Sequence, residues 1–396
     1  MSPAEHSPQE ISRRRFIQQL GELSASAAAV NLRWPPCSLP PRGTIARSRF
    51  PAQLGELERL IVDLMKKNSV PGLAIAVVKD GAVAWHRVWG VRDVASEAPV
   101  DEHTVFEAAS VSKTVFAFAV MQLRDRGVLD LDTPLTSYTP QRILDGDPRL
   151  ERITARHVLS HTSGLPDFRS RAAPLRISFT PGERFLYSGE GYWYLQTVVT
   201  HLAGKTDQNV CASYEAGLKV CATDIDSYLK TNVLVPCRMG SSGYVWDEAF
   251  QEHAACPHDA KGRPLPLAKP TETDAARYAA MGGLRTTALD YANFLIEVMA
   301  PRAPTSFRLS PESQREMFRP QVRVDESNEW ALGWEIHRAA SGSLIQHQGG
   351  QTGVQAFTAA SVVQRSGYVI LTNSANGWKV FYDGRFVALI DQLLLA

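Results

Sequence analysis

The sequence predicts an α+β fold in which an antiparallel sheet is flanked by helices and joined to an all-helical lobe. Two observations carry this prediction. Segments with the composition of strands lie near both ends of the chain, whereas the residues between them have the spacing of helices and loops. The 396 residues are 44% hydrophobic and 21% charged, an ordinary globular composition that suffices for one large domain.

The first 50 residues are expected to form an export leader and a linker. Consecutive arginines in the segment Ser12–Ile17 precede a mild apolar stretch, and small residues suit cleavage near Ala27–Ala29. The pattern resembles a twin-arginine signal and predicts a periplasmic or secreted protein, although Glu22 interrupts its apolar part. A disordered basic tail on a cytoplasmic protein is the alternative. Residues 31–50 are rich in Pro, Arg and Ser, which is typical of a linker.

The N-terminal part of the folded domain, residues 51–396, is expected to contribute a helix and a hairpin. Leu54 to Lys67 has helical apolar spacing. Two strand-like runs follow and meet at Asp80-Gly81, a dipeptide that favours a tight hairpin turn. Residues 109–125 are predicted to be helical, and a further helix is expected to begin near Ala288.

The C-terminal third has a different character. The segments "SLIQHQ", "VQAFTAASVV" and "GYVILTN" are predicted strands separated by glycine-containing turns, and "FVALIDQLLL" is a predicted helix. Pairing the early hairpin with these three strands gives one sheet covered by terminal helices. The α/β lobe is therefore expected to comprise about residues 51–108 and 280–396, and the helical lobe about 109–279.

Charge and cysteine content exclude several classes of function. The net charge of +1 creates no strong field for nucleic acid or an anionic membrane, so neither is an expected partner. The sequence contains no run of about 18 apolar residues, so it predicts no membrane span. Cys211 and Cys221 could pair in an oxidising compartment, within a predicted surface insertion at residues 206–223. No Cys-x-x-Cys occurs, so a zinc or redox site of that kind is not expected.

The segment "FEAASVSKTVFAF" places Ser110 and Lys113 one helical turn apart at the start of an apolar helix. Roughly one or two Ser-x-x-Lys matches are expected by chance in this length, and Ser227 with Lys230 is a second match, inside an amphipathic stretch. Ser110 differs because a helix N-terminus has unpaired N–H groups that stabilise an anionic oxygen. A lysine with a lowered pKa could accept the serine proton.

Two further segments supply candidate partners. "PGERFLYSGEGYWYL" places Tyr187 on a turn that leads into a helix, where its phenol could shuttle a proton or simply brace the turn. "LIQHQGGQTGVQAF" places His347, Gly349 and Gly350 at the end of a strand, where a backbone N–H could complete an oxyanion hole with that of Ser110. An exposed histidine in a hairpin turn is the alternative interpretation of His347.

The segment "HVLSH" places His157 and His161 at the spacing of a helical zinc pair. The glutamate of that motif is absent and no third ligand is evident, so a metal is not expected. His161 is instead predicted to brace the "HTSGL" turn. No cofactor is expected elsewhere in the sequence.

Together the ordered segments "SVSK", "HTSGLP", "YSGEGY", "GGLRTTALD", "LGW" and "HQGG" resemble the serine β-lactamase-like family, in particular its class C β-lactamase, D-amino-acid peptidase and carboxylesterase branch. The resemblance covers about residues 54 to 394. It implies a β-lactamase/transpeptidase-like fold and an acyl-enzyme mechanism. Ser110 would be the nucleophile, Lys113 its base, Tyr187 a proton-transfer partner and His347 the third-motif residue. The N–H groups of Ser110 and Gly350 would bind the oxyanion.

Two departures from the family pattern bear on the substrate. The second motif is usually Tyr-x-Asn, but Gly189 replaces the asparagine here. His347 stands where a lysine would give a permanent positive charge. Both changes favour a carboxylesterase acting on small acyl esters. A β-lactamase or D-amino-acid peptidase acting on amides, or a catalytically silent binding relative, are the alternatives. The sequence indicates no oligomeric state.

Overall fold

The computed structural model describes residues 51–139, 142–169, 174–203, 225–270, 277–299, 307–339 and 342–395. The predicted leader and linker, the predicted insertion at 206–223 and Cys37, Cys211 and Cys221 lie outside these residues. Of the other cysteines, Cys237 is buried and Cys256 is half-buried, and both are free thiols.

A nine-stranded antiparallel sheet is the central element of the described structure, with the strand order β3-β2-β1-β11-β10-β9-β8-β7-β6. Two further strands, β4 and β5, pair with each other beside it. The strands are β1 Gly72–Lys79, β2 Ala82–Asp93, β3 Ala98–Pro99, β4 Phe106–Glu107, β5 Arg285–Thr286, β6 Val322–Arg323, β7 Asn328–Trp330, β8 Glu335–Ala339, β9 Gly342–Gln351, β10 Val354–Ser361 and β11 Ser366–Thr372.

Helices precede, follow and interrupt the strands. The α-helices are α1 Pro51–Asn68, α2 Ser112–Asp125, α3 Ala155–Leu159, α4 Gly189–Leu202, α5 Glu248–His253, α6 Ala288–Met299, α7 Pro311–Met317, α8 Trp378–Phe381 and α9 Gly384–Leu395. Short 3₁₀ turns occur at Ala109–Val111, Leu135–Ser137 and Pro148–Arg152, and π-helical turns at Lys230–Leu234 and Ala279–Gly283.

The sheet separates two hydrophobic cores because side chains alternate along its buried strands. On β1, Leu73, Ile75 and Val77 face a core built with α1 and α9. Ala74 and Ala76 face the opposite core, which includes α2, α4 and α6. The candidate site residues lie on the face of the sheet that carries this second core, so the sheet supports the site.

The predicted hairpin, helices and C-terminal strands are confirmed. Asp80 and Gly81 have φ values of +52° and +75°, the left-handed backbone that a two-residue hairpin needs. The prediction missed β3 at one edge of the sheet and the strands β6, β7 and β8 at the other. These strands are short and lack clear alternation. All strands of the large sheet come from residues 72–99 and 322–372. The division into two lobes at the predicted bounds stays a prediction.

Among the described helices, none has the length and the apolar character that crossing a membrane requires.

Candidate active site

Ser110 lies on a sharp change of direction between a strand and a helix. The pairing of β4 with β5 and a hydrogen bond from the Ala108 N–H to the Leu284 oxygen (2.9 Å) fix the segment before it. Ala109 then adopts φ +46°, a left-handed conformation that is uncommon for a residue with a Cβ. The 3₁₀ turn and α2 follow, and Ser110 stays half-exposed where the chain turns.

Lys113 is almost completely buried, at 2% exposure, and contacts Ser110 directly. Its Nζ lies 3.1 Å from the Ser110 Oγ and donates a second hydrogen bond to the backbone oxygen of Met281. Burial lowers the pKa of Lys113 to about 7, against the opposing effect of the Asp167 charge. A neutral amine is therefore accessible near neutral pH, as a base for the Ser110 hydroxyl requires.

The carbonyl of Met281 is positioned by a π-helical turn, Ala279–Gly283. The Ala280 N–H donates to the Gln196 side chain at 2.7 Å, and the Gln351 side chain donates to the Gly282 oxygen at 2.9 Å. These contacts from α4 and β9 hold the turn against Lys113. Single π-helical turns occur frequently at functional sites.

Tyr187 lies beside the serine and the lysine. Burial of its hydroxyl raises the pKa of Tyr187 well above its usual value, and a hydrogen bond with the Ser110 side chain partly opposes that shift. The Lys113 Nζ lies 5.0 Å from the centre of the Tyr187 ring. The phenol therefore keeps its proton near neutral pH and can donate it to a group on Ser110.

His161 fixes Tyr187 from both sides, whereas the sequence predicted that it braces the "HTSGL" turn. Its backbone oxygen accepts a hydrogen bond from the Leu186 N–H at 2.7 Å, and its Nδ1 accepts one from the Ser188 N–H at 3.0 Å. Its ring centre lies 4.2 Å from that of Tyr187. Ser188 in turn caps α4, since its hydroxyl accepts the Gly191 N–H at 2.9 Å.

His347 is buried in the middle of β9. The alternative interpretation, an exposed histidine in a hairpin turn, is therefore wrong. The His347 Nδ1 lies 2.7 Å from the Gln348 carbonyl and therefore donates, which leaves an acceptor lone pair on Nε2. Burial, with a smaller effect of Lys113, lowers the pKa of His347 to about 3. The ring is neutral and supplies no positive charge. Its centre lies 6.4 Å from that of Tyr187.

Gly349 brings β9 into direct contact with the segment that carries Ser110. A Cβ at this position would lie 2.3 Å from the Ala108 oxygen and 3.1 Å from the Ser110 nitrogen, so a larger residue has no room. Gly350 and Ser110 both line the adjoining cavity. The use of their N–H groups as oxyanion donors stays a prediction.

A cavity of about 370 Å³ opens beside Ser110 and Lys113. Phe168, Tyr244 and Tyr278 give it aromatic walls. Its wall also contains a buried ion pair, in which the Arg285 Nη2 lies 2.9 Å from the Glu107 Oε1. The cavity can hold an acyl group of a small substrate next to the serine.

The structure also distinguishes the weaker candidates. Lys230, in the second Ser-x-x-Lys match, is exposed, in contrast to Lys113. The Nδ1 of His157 takes part in a capping box with Thr154 at the start of α3. The sequence did not point to Asp167 or to the Met281 carbonyl. A lone aspartate and a backbone oxygen carry no pattern that could have identified them.

Comparisons with known proteins agree with this arrangement. The Beta-lactamase family model matches residues 57–392. "Protein flp" from Staphylococcus aureus (strain N315) is 22% identical over 339 residues, covering 80% of this chain and 62% of that protein. "Esterase EstB" from Burkholderia gladioli is 28% identical over 216 residues, covering 54% of this chain and 46% of that protein. The chain thus spans less than two thirds of the length of these relatives.

Solved structures show the same fold. The octameric penicillin-binding protein homologue from Pyrococcus abyssi has a TM-score of 0.70 at 24% identity, covering 86% of this chain and 77% of that one. The beta-lactamase/D-alanine carboxypeptidase from Pseudomonas syringae has a TM-score of 0.70 at 17% identity, with 86% and 99% covered. A class C beta-lactamase has a TM-score of 0.67 at 19% identity, with 86% and 99% covered. These likenesses confirm the predicted fold class.

Proposed function

The chain belongs to the Beta-lactamase family, and on that premise we propose that it is a carboxylesterase acting on small acyl esters through an acyl-enzyme. The observation that carries the proposal is the contact between a half-exposed Ser110 and a buried Lys113, with Nζ and Oγ 3.1 Å apart. Tyr187 beside them and the cavity next to them support the same chemistry.

In the proposed reaction, Lys113 removes the proton from Ser110 as its oxygen attacks the ester carbonyl. The N–H groups of Ser110 and Gly350 bind the oxyanion that forms. The carbon–oxygen bond to the alcohol then breaks, and Tyr187 transfers a proton to the departing alkoxide, regaining one from Lys113. A water molecule attacks the acyl-enzyme by the same steps in reverse and releases the acid and the free serine.

Two features support esters over β-lactams and peptides. Gly189 offers no amide to bond the amide side chain of such substrates, and a site lacking a required polar contact discriminates less well for them. The neutral His347 offers no charge to a substrate carboxylate. The similarity to a protein named as an esterase points the same way.

The test is hydrolysis of p-nitrophenyl butyrate by the wild type and by Ser110→Ala, with a chromogenic cephalosporin in parallel. We expect ester turnover that falls by roughly 10³-fold or more in the variant, because removing the nucleophile removes the covalent route. Little cephalosporin cleavage is expected. Dominant cephalosporin cleavage would favour a β-lactamase, and ester turnover that survives in Ser110→Ala would refute the mechanism.

Export to the periplasm or the medium is also part of the proposal. The arginine-containing pattern in residues 1–50 supports it. Cell fractionation of the wild type and of a variant in which Arg13 and Arg14 are replaced would test it.

A further inference from the structure

Asp167 fills the place that a side chain at position 189 would occupy. A Cβ added to Gly189 would lie 2.5 Å from the backbone oxygen of Asp167 and 3.0 Å from its Oδ1. The Gly189 N–H donates to this Oδ1 at 3.1 Å, and the Glu190 N–H donates to the Asp167 backbone oxygen at 3.1 Å. The Asp167 carboxylate is thus fixed at the start of α4, against Gly189, which follows Tyr187 by two residues.

The loop that carries Asp167 is anchored firmly. Glu190, which is 3% exposed, accepts hydrogen bonds from the N–H, Nε and Nη2 of Arg169 at 2.9, 3.1 and 2.9 Å. The Arg169 guanidinium also lies 4.8 Å from the centre of the Trp193 ring. Since the Glu190 Oε2 accepts from two guanidinium nitrogens and its Oε1 accepts from the Arg169 backbone, the loop is held at Arg169 and Asp167 has little freedom to move away from the site.

Asp167 remains available to a substrate. It is half-buried, and the next residue, Phe168, lines the cavity beside Ser110. No lysine, arginine or histidine in the described part of the chain forms an ion pair with Asp167, whereas the cavity's Arg285 is already paired with Glu107. Asp167 also lies near the residue that holds Lys113, since a Cβ on Gly189 would lie 3.0 Å from the Asp167 Oδ1 and 3.4 Å from the Met281 Cε, and the Met281 carbonyl accepts a hydrogen bond from Lys113.

We propose that Asp167 determines substrate specificity by accepting a hydrogen bond from a protonated amine near the scissile carbonyl, so that amino-acid esters are preferred. The inference rests on the proposed esterase function. An ionised carboxylate is an acceptor only, and its bond to an ammonium is roughly twice as strong as a neutral one. Lys113 does not compete for the carboxylate when the substrate binds, because only the enzyme with a neutral Lys113 can begin the reaction.

The negative charge also explains which acyl groups should be excluded. A carboxylate on the substrate would lie close to Asp167 with no nearby compensation from the neutral His347. Lys269 and Arg285 line the cavity as well, but Arg285 is neutralised by Glu107 and Lys269 is exposed to solvent. Of the two carboxylates near Ser110 in the described part of the chain, Glu107 is paired with Arg285, so Asp167 is the one left to bind an ammonium beside the carbonyl.

The test compares alanine ethyl ester with ethyl propionate, which differ by the amine alone, using titration of released acid at pH 7. We expect the wild type to favour alanine ethyl ester by about tenfold or more in kcat/KM, the effect of one charge-assisted hydrogen bond of about 1.5–3 kcal/mol. Asp167→Asn should remove most of that preference while keeping an oxygen that accepts the Gly189 N–H. Glu183→Gln, a change of an exposed carboxylate in the segment before Tyr187, is the matched control and should retain the preference.

A second measurement repeats the comparison across pH. The preference of the wild type in excess of that of Asp167→Asn should fall as pH rises through the pKa of the substrate amine, about 7.7–8.0, whereas the inductive activation of the ester by its own ammonium is common to both proteins. Protonation of Lys113 affects both esters equally and cancels in the ratio.

The outcomes separate the two proposals. Ester hydrolysis that depends on Ser110 but shows no amine preference, or a preference unchanged in Asp167→Asn, overturns the inference and leaves the esterase proposal standing. Hydrolysis of neither of these two esters overturns the inference, and it overturns the esterase proposal as well if p-nitrophenyl butyrate is not hydrolysed either.

Discussion

In the proposed mechanism, the reactivity of Ser110 depends on Lys113. Its amine is enclosed by protein, holds the Ser110 Oγ at 3.1 Å and donates to the Met281 carbonyl. The sequence identified Ser110, Lys113, Tyr187 and His347, and the structure brings these four side chains together. It did not identify Asp167, Met281 or the hydrogen bonds of His161, because these contacts arise from tertiary packing and not from a local pattern.

The pKa of Lys113 predicts the pH dependence of activity. Only the neutral amine can accept the serine proton, so kcat/KM for p-nitrophenyl butyrate should rise with pH through an apparent pKa of about 7. His347, with a pKa of about 3, stays neutral throughout this range. Steady-state rates from pH 5 to 9 would measure the curve.

Lys113→Arg is the informative comparison, because a guanidinium stays protonated and cannot act as the base. Its activity should be lost at every pH tested. An ascending limb of the wild-type profile near the usual lysine pKa, a wild-type rate independent of pH, or ester turnover retained in Lys113→Arg would contradict the role of Lys113.

At the scale of secondary-structure elements, the site depends on two irregular segments. The π-helical turn Ala279–Gly283 presents a carbonyl to Lys113, and β9 touches the Ser110 segment through Gly349. Neither was evident from the sequence, since a π-turn looks like helix or loop and a close backbone approach depends on its partner. The long helices and strands were predicted because their hydrophobic periodicity is regular. The short strands β6, at the edge of the sheet, and β7, next to it, have two and three residues and too few positions to show a periodicity.

Gly349→Ala tests the contact between β9 and Ser110. The added methyl would lie 2.3 Å from a backbone oxygen, so the strand must shift and the oxyanion donors separate. We expect kcat to fall by about 10²-fold and the free energy of unfolding to fall by about 1–3 kcal/mol. Ester kinetics and urea unfolding would measure the two effects.

Gly240→Ala is the matched control, because nothing lies within 4 Å of a Cβ at that position. It should leave both quantities near their wild-type values. Full activity in Gly349→Ala would show that the close approach is not needed for catalysis.

At the scale of the whole molecule, the buried lysine lowers stability. The unfolded chain binds a proton at Lys113 up to the model-peptide pKa of 10.5, whereas the folded protein releases it near 7. Stability therefore rises with pH between these values, and at pH 7 the difference corresponds to roughly 4 kcal/mol.

Lys113→Met should remove this effect, so the variant is expected to be inactive but more stable than the wild type by a few kcal/mol at pH 7. The difference should shrink as pH rises towards 10. Urea unfolding at several pH values would measure it, with Lys67→Met, an exposed lysine of α1, as the control. A stability difference that does not change with pH would refute the proposed energetics.

The antiparallel pairing of β1 with β11 joins residues as distant as Leu73 and Thr372. Closing so long a loop is slow compared with forming local helices. A ribosome adding residues in order would therefore expose the serine segment long before β9, β10 and β11 exist to complete the sheet beneath it. The proposed hydrolytic activity would thus require synthesis through β11, and a nascent chain that stops before β9 would carry Ser110 and Lys113 without the strands that complete the site.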